Sequence, residues 1–176
     1  MQDGYINASQ YLYDLITLGK SFEQAIEGDR KSFTLRFIDW ENPGNNVFHV
    51  TEEYNVLRTS STEHYRPDIV LFINGIPLVV IECKRPDIKD SLDQAISQSI
   101  RNQQEYGIRS LYVYSQIVMA LSVNDARFAT TGTDVEFWSL WKEKFINKQD
   151  EQQYKVNLHR VKNTALIETN KKVLFA

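Results

Sequence analysis

The sequence predicts an α/β domain in which helices flank a mixed β-sheet. Two apolar runs rich in Ile and Val flank the Asn-Gly pair at residues 74–75, which is the pattern of a β-hairpin. These runs show almost no polar alternation, so we expect both strands to be covered on both faces. A segment with helical spacing and two further apolar runs follow the hairpin, and a helix between strands is typical of layered α/β domains.

Composition limits the class of protein. The chain has 176 residues, of which 42% are hydrophobic, enough for one compact domain with a sizeable core. Its formal net charge is −3, so no global positive charge indicates a nucleic-acid-binding protein. The single cysteine excludes an internal disulfide framework and favours the reducing cytoplasm. Without an apolar run long enough to span a bilayer, no membrane association is expected.

The residues before the hairpin predict one helix and two strands. Ala8 to Leu18 has the spacing of an amphipathic helix that stops at Gly19, and Phe22 to Ile26 could add one more helical turn. Apolar and polar residues alternate from Ser32 to Trp40, as in a half-buried strand, and a second strand is predicted from Val47 to Leu57.

The residues after the hairpin predict a helix and two strands. Ser91 is a suitable N-cap for a helix from Leu92 to Tyr106. Short apolar runs predict strands at Leu111 to Tyr114 and Val118 to Val123, followed by a loop at 124–127. Three aromatic residues near helical spacing are expected to anchor the core rather than stack on bases: Phe137, Trp138 and Trp141.

Three charged residues gather at one end of the predicted hairpin. Asp68 enters the first strand, and Glu82 and Lys84 leave the second. Since side chains alternate along a strand, Glu82 and Lys84 share one face. Asp68 can share that face only if it lies opposite Glu82 in the hairpin. This register requires a three-residue loop at 74–76 or an equivalent bulge. A strict two-residue loop would pair Asp68 with Ile81.

Two carboxylates and a lysine on one face suit Mg²⁺, which takes one or two carboxylates and keeps several waters. Asp68 and Glu82 are therefore candidate metal ligands, and the main-chain carbonyl of Cys83 could add another. Lys84 could orient or deprotonate the water that attacks a phosphodiester, or stabilise charge on the phosphorane. On spacing alone, a surface salt bridge at the end of a sheet is an equal alternative.

The run from Arg66 to Pro86, RPDIVLFINGIPLVVIECKRP, combines an Asp, a hydrophobic hairpin and Glu-x-Lys. It resembles the PD-(D/E)xK nuclease superfamily, and within it the N-terminal nuclease domain of the restriction (R) subunit of type I restriction–modification enzymes. Three flanking stretches resemble the same domain: FIDWENPGNNVFHV, DQAISQSIRNQ and FWSLWKE. The resemblance therefore covers about Leu12 to Lys144.

The resemblance implies a restriction-endonuclease-like fold for residues 1–146 and Mg²⁺-dependent cleavage of double-stranded DNA. The family has a Gln-x-x-x-Tyr motif that braces the active site, and Gln98 falls at its glutamine. The tyrosine position is Asn102, a departure from the pattern, and Tyr106 one turn later is a candidate substitute. Many such nucleases also carry a glutamate on an early helix, for which Glu23 is one candidate here, although in the resembling family that helix lies further upstream.

The resemblance also implies partners, namely the specificity and methylation subunits of a type I complex. Residues 147–176 are expected to form a linker or helical segment leading toward an ATP-driven motor. Nothing in the chain matches a phosphate-binding Gly-x-x-x-x-Gly-Lys-Ser/Thr loop, so no ATP site is expected in it. Two alternatives stay open: a stand-alone nuclease of repair or mobile elements, and a non-catalytic assembly module that retains the fold.

Overall fold

The computed structural model describes residues 2–85, 87, 89–122, 125–142, 147–150 and 152–153. The helices are α1 (Gln2–Leu18), α2 (Ser91–Asn102) and α3 (Arg109–Tyr112). The strands, in chain order, are β1 (Lys20–Ile26), β2 (Asp29–Leu35), β3 (Phe48–Glu52), β4 (Val56–Leu57), β5 (His64–Tyr65), β6 (Ile69–Ile73), β7 (Ile76–Cys83), β8 (Ile117–Leu121), β9 (Ala126–Thr130) and β10 (Ser139–Leu140).

One mixed sheet organises the domain, with the strand order β10-β9-β8-β7-β6-β3. Its neighbouring strands are antiparallel except β7 and β8, which run parallel. Parallel strands need a crossover connection, and here α2 and α3 lie in that connection. Helices packed against a mixed sheet confirm the predicted α/β, restriction-endonuclease-like fold class.

The β6–β7 hairpin has a two-residue loop followed by a bulge. Asn74 and Gly75 adopt positive φ values of 50° and 82°, and Ile73 pairs with Ile76, so the predicted three-residue loop is wrong. The register then shifts, because Phe72 pairs with Pro77 whereas Leu71 pairs with Val79.

Leu78 has no pairing partner on β6 and is therefore the extra residue of a β-bulge. The predicted alternative, an equivalent bulge, is therefore confirmed. Beyond the bulge Ile69 pairs with Ile81, so that Asp68, the next residue outward, lies across from Glu82.

The main core lies between the sheet and the two crossover helices. Side chains that are at most 7% exposed pack there from four strands and from α2 and α3: Val70, Val80, Val118, Ala120, Ala129, Ala95, Ile96, Leu111 and Tyr112. Helix α1 adds Tyr5 to this core, and its Ile16 packs with Ile38 and the bulge residue Leu78 in a second cluster. Burial of apolar surface by these contacts therefore holds the bulge in place.

The N-terminal third differs from the sequence prediction. Helix α1 begins at Gln2 rather than Ala8, and it ends as predicted before Gly19, which has a φ of +77°. Phe22 to Ile26 forms no helical turn but belongs to β1, which pairs with β2 in a separate two-stranded sheet. Every residue of β2 is exposed. The alternation that begins at Ser32 therefore belongs to an uncovered two-stranded sheet, the β1–β2 ribbon, and not to a half-buried strand.

The second predicted strand, Val47 to Leu57, is divided in two. Strand β3 pairs with β6 in the main sheet, whereas β4 pairs with β5 in a small sheet of its own. Glu53, with a φ of 48°, lies at the break between them. A positive φ cannot continue an extended strand, which is why the alternation does not persist through this position.

The crossover also differs from the prediction. Asp90, not Ser91, occupies the N-cap position of α2, and the helix ends at Asn102 rather than Tyr106. The chain turns there, because the Ile108 N–H donates a hydrogen bond of 2.8 Å to the Asn102 carbonyl. Leu111 to Tyr114, predicted as a strand, lies in and just beyond α3, since a short apolar run does not distinguish a buried strand from a buried helix.

The strand predicted at Val118 to Val123 is confirmed as β8, and the segment predicted as a loop runs into β9 at its residues 126–127. Residues 123 and 124 lie outside the described part. Of the three aromatic residues, Trp138 is 5% exposed and joins the core as predicted. Phe137 and Trp141 are 67% and 47% exposed, so for them the prediction is wrong.

The chain divides into a compact unit, Met1–Leu140, and a second unit, Trp141–Ala176. Most of the second unit lies outside the described residues, so the predicted linker at 147–176 and the domain boundary at 146 stay predictions. Within it, the Asn147 side chain accepts hydrogen bonds from the Gln149 and Asp150 N–H groups, as a helix N-cap does. In the described part of the chain, no helix is both long and apolar enough to cross a membrane.

Gly107→Ala should destabilise the domain. A Cβ at this position would lie 2.3 Å from the Asn102 carbonyl oxygen, which is fixed backbone at the turn after α2. We expect the free energy of unfolding to fall by about 1–3 kcal/mol, as for other overpacked positions. Gly44→Ala is the matched control, because nothing lies within 4 Å of its added Cβ. Equal urea midpoints for the two variants would contradict this account of the turn.

Candidate active site

Asp68 and Glu82 face each other where β6 begins and β7 ends. The half-buried Asp68 carboxylate accepts a hydrogen bond of 2.7 Å from the Cys83 N–H through Oδ2. This bond ties the residue before β6 to the end of β7 and fixes one oxygen of the carboxylate. The structure thus brings together the two carboxylates that the register argument required.

Glu82 is a carboxylate inside the core, with 0% of the residue exposed. Both of its oxygens accept hydrogen bonds from amide groups on α2. Gln98 Nε2 donates to Oε2 at 2.6 Å, and Asn102 Nδ2 donates to Oε1 at 3.1 Å. Residues 98 and 102 are four apart, so one face of α2 presents both donors to the same strand end.

Lys84 is joined to Glu82 through Gln98. Its Nζ donates a hydrogen bond of 2.6 Å to Gln98 Oε1, while the same amide donates to Glu82. The Lys84 N–H also donates to the Leu121 carbonyl of β8 at 2.9 Å, which holds this residue beyond the strand end. The four residues predicted for the site, Asp68, Glu82, Lys84 and Gln98, are therefore neighbours in the structure.

The surroundings of Glu82 disfavour its charged form. Burial raises the pKa of Glu82 to about 8, and the nearby Asp68 carboxylate adds to the rise. Lys84, the hydrogen bond from Asn102 and the charge of Arg101 act in the opposite direction. In the absence of a cation the site therefore tends to keep a proton on Glu82 near neutral pH.

At this site, the side chains that could hold a metal are the two carboxylates of Asp68 and Glu82. Among the described residues, no group of three or more His, Cys, Asp and Glu side chains is arranged to bind a metal ion. The main-chain carbonyl of Cys83 as a further ligand stays a prediction. Glu23 lies on β1 opposite Ser32, in the separate two-stranded sheet, and not on an early helix as the resemblance suggested.

One residue that bonds to Glu82 was not predicted from the sequence, and one residue that was predicted as a substitute for the family tyrosine lies at the surface. Asn102, which departs from the expected tyrosine, is 2% exposed and bonds directly to Glu82. Its spacing from Gln98 was a signal that could have identified it, because positions i and i+4 share a helix face. Tyr106 is 69% exposed and so does not replace the missing tyrosine in the buried network.

A depression of about 630 Å³ opens beside Lys84 and Gln98. Its other lining residues belong to α2 and the residue before it: Asp90, Asp93, Gln94, Ser97 and Arg101. The guanidinium of Arg101 also lies 5.8 Å from the centre of the Tyr65 ring. Arg101 therefore adds a second positive charge to the opening of the site, a role that the sequence did not suggest.

The raised pKa of Glu82 predicts a specific pH dependence of stability in the metal-free chain. From the ordinary value of 4.5 up to about 8, the folded chain holds a proton that the unfolded chain has lost. The free energy of unfolding should therefore fall as the pH rises through this interval and level off above it. Glu82→Gln removes this contribution, so its stability relative to the unmodified chain should rise with pH.

Urea unfolding at pH 5 and pH 8.5 in the presence of a chelator measures this difference. Glu105→Gln, which changes an exposed carboxylate, is the control and should keep the pH slope of the unmodified chain. The same slope in the Glu82→Gln variant and the unmodified chain would contradict the assignment of a raised pKa to Glu82.

Comparisons with known proteins show which family the chain belongs to. The family model described as type I restriction enzyme R protein N terminus matches residues 3–137. The type I restriction enzyme HindI endonuclease subunit of Haemophilus influenzae is 32% identical over 136 residues, which are 76% of this chain and 12% of that protein. The putative type I restriction enzyme MjaIXP endonuclease subunit of Methanocaldococcus jannaschii is 27% identical over 131 residues, 74% of this chain and 12% of the relative.

A third relative, the type I restriction enzyme SsaAORF53P endonuclease subunit of Staphylococcus saprophyticus, is 28% identical over 123 residues. The match covers 68% of this chain and 13% of that protein, so the chain spans roughly an eighth of the length of the curated relatives it matches. Since the family model covers most of the chain, including every residue of the site, the chain belongs to the family of type I restriction enzyme R protein N termini.

Proposed function

We propose that this chain is a nuclease domain of the PD-(D/E)xK type that hydrolyses phosphodiester bonds of double-stranded DNA with Mg²⁺. One observation carries the proposal: Asp68 and the buried Glu82 meet at one end of β6 and β7, with Lys84 joined to Glu82 through Gln98. A solvated salt bridge at the end of a sheet does not require a fully buried carboxylate. Burial of this charge is costly, which favours a functional site over the surface alternative.

The donor set suits a hard divalent cation, because it consists of carboxylate oxygens with a main-chain carbonyl close by. Asp68 and Glu82 would hold Mg²⁺, and the Cys83 carbonyl would add a further ligand. When bound, the ion would act as a Lewis acid on the phosphate oxygens. The raised pKa of Glu82, which is caused by its burial and then by the nearby Asp68 carboxylate, is consistent with this assignment, since a bound cation would favour the charged form of Glu82.

Lys84 would stabilise negative charge that develops on the phosphate, or orient the attacking water. Gln98 determines where that ammonium lies, because its oxygen accepts from Lys84 while its N–H donates to Glu82. Reversing the amide would break both hydrogen bonds. Gln98 is therefore best understood as the residue that sets the position of Lys84 relative to the carboxylate.

DNA binding by this chain would rest on a few local charges. Lys84 and Arg101 line the depression beside the site, together with Asp90 and Asp93, and the net charge of the whole chain is −3. We therefore propose that subunits that select and methylate DNA supply most of the affinity in a type I complex. The names of the relatives, which call them endonuclease subunits, support this proposal, and the single cysteine supports a cytoplasmic location.

Calorimetric titration of Mn²⁺ tests the metal site. We expect Asp68→Ala and Glu82→Ala to abolish binding, because each removes one of only two carboxylates at the site. Glu105→Ala, at an exposed position, should bind as the unmodified chain does. Circular dichroism establishes that the variants are folded. Equal binding in all variants, or none in the unmodified chain at millimolar Mn²⁺, would favour the alternative of a non-catalytic assembly module.

Lys84→Met should separate metal binding from catalysis. The variant keeps both carboxylates, so Mn²⁺ should still bind, whereas cleavage of supercoiled plasmid should slow by roughly 10²- to 10⁴-fold, as for loss of a group that assists proton transfer. Loss of Mn²⁺ binding together with cleavage would instead assign Lys84 a purely structural role.

Arg101→Ala should weaken DNA binding without changing Mn²⁺ affinity by more than about twofold. Loss of one phosphate contact should reduce the slope of log K against log salt by about 1. Arg30→Ala, on the separate β1–β2 ribbon, is the control and should leave the slope unchanged. An unchanged slope in the Arg101 variant would remove this residue from the DNA-binding surface.

A further inference from the structure

The half-buried ring of Tyr65, on β5, lies close to two guanidinium groups. The guanidinium carbon of Arg58 is 4.6 Å from the ring centre, and that of Arg101 is 5.8 Å from the same centre. A cation within about 6 Å of the centre of an aromatic ring is attracted to the negative face of that ring. Tyr65 therefore connects the segment after β4, which carries Arg58, with Arg101 of α2.

Arg58 and Tyr65 form a supported unit in which the positive charge is compensated. The Arg58 guanidinium forms an ion pair with Glu63, and its Nε donates a hydrogen bond of 3.2 Å to the Tyr106 carbonyl. The Arg58 N–H also donates to the Glu63 carbonyl at 2.9 Å. The Tyr65 ring itself packs against the main core. Arg58 thus supports the ring, and its charge is already used within the chain.

The charge of Arg101, by contrast, is not compensated by an ion pair. Arg101 is exposed and lines the depression beside the site, which Asp90 and Asp93 also line. In the described part of the chain, the ion pairs formed by arginines involve four other residues: Arg36, Arg58, Arg66 and Arg85. An exposed guanidinium without a carboxylate partner is suited to a phosphate, whose oxygens accept two parallel N–H donors.

Two elements tie this guanidinium to the candidate metal site. Arg101 follows Gln98 by three residues on α2, so both side chains lie on adjoining parts of one helix face. Tyr65 precedes Asp68 by three residues. The carbonyl groups of residues 67 and 68 accept hydrogen bonds of 3.2 and 2.9 Å from main-chain N–H groups just after β3, which hold this short segment. The ring and the candidate metal ligand Asp68 are therefore placed by the same stretch of backbone.

We propose that Tyr65 is a positioning residue, which holds the Arg101 guanidinium away from Asp90 and Asp93 so that Arg101 binds a backbone phosphate of DNA beside the metal site. Without the ring, Arg101 would be free to pair with one of these carboxylates, and its charge would no longer be available to DNA. The proposal rests on the proposed function, because DNA supplies the phosphate.

Tyr65→Leu and Tyr65→Phe test the position of the guanidinium. An aromatic ring shifts the NMR signal of a nearby nucleus, and the Arg101→Ala variant identifies the Nε–H signal of Arg101 by its loss. We expect this signal to move in Tyr65→Leu and to stay in place in Tyr65→Phe, which keeps the ring. Tyr13→Leu, which removes an exposed ring from α1, is the control and should leave the signal unchanged.

Affinity for a short DNA duplex in the presence of a chelator is the second readout. Tyr65→Leu should weaken binding roughly 2- to 5-fold, as expected for loss of an exposed cation–π interaction, and Tyr65→Phe should bind as the unmodified chain does. In an Arg101→Ala background, Tyr65→Leu should have no further effect, because the ring acts through Arg101. A purely structural role of the ring would weaken binding equally in both backgrounds.

Circular dichroism establishes that the Tyr65→Leu variant is folded. If it is not, pentafluorophenylalanine at position 65 keeps the shape of the ring but removes its negative face, and the same losses are expected.

An Arg101 signal that does not move, or an equal loss of DNA affinity in both backgrounds, would overturn the proposal. Titration of Mn²⁺ separates this result from the proposed function. If the unmodified chain binds Mn²⁺ but not DNA, the role of Tyr65 and Arg101 in phosphate binding fails while the metal site stands. If it binds neither, the proposed function fails as well.

Discussion

The carboxylate of Glu82, placed inside the core, is the constraint on which the site depends. An ionised carboxylate loses several kcal/mol of hydration when it is buried, and neighbouring groups offset only part of this loss, so that the pKa of Glu82 is raised to about 8. Here the offset comes from α2, whose Gln98 and Asn102 donate to the two oxygens, and from Lys84, which Gln98 holds nearby. The packing of α2 against the end of β7 therefore stabilises the Glu82 carboxylate in addition to burying apolar surface.

The β-bulge at Leu78 has an equally direct consequence for the site. Because a one-residue change of register moves a side chain to the opposite face of a sheet, the two-residue loop alone would have separated Asp68 from Glu82. The bulge restores the required register, and apolar contacts of Leu78 with Ile16 and Ile38 hold it. Helix α1, far from Asp68 in sequence, thus contributes to the geometry of the carboxylate pair.

The sequence was informative where the chemistry depends on local spacing. Alternation along a strand predicted that Asp68 must face Glu82 and that a bulge could achieve it, and the family pattern identified Gln98. Patterns failed where tertiary contacts decide the outcome. The apolar run at Leu111 is helical rather than extended, and the alternation at Phe33 belongs to an exposed ribbon.

We propose that Asp68 and Glu82 together hold a divalent cation. Each Glu82 oxygen accepts one hydrogen bond from an amide of α2, which leaves a lone pair on each oxygen for a cation. The most direct measurement is anomalous diffraction from crystals of this chain soaked in Mn²⁺. We expect one strong peak in contact with a carboxylate oxygen of both Asp68 and Glu82. A peak elsewhere, such as between Asp90 and Asp93, or no peak at all would contradict it.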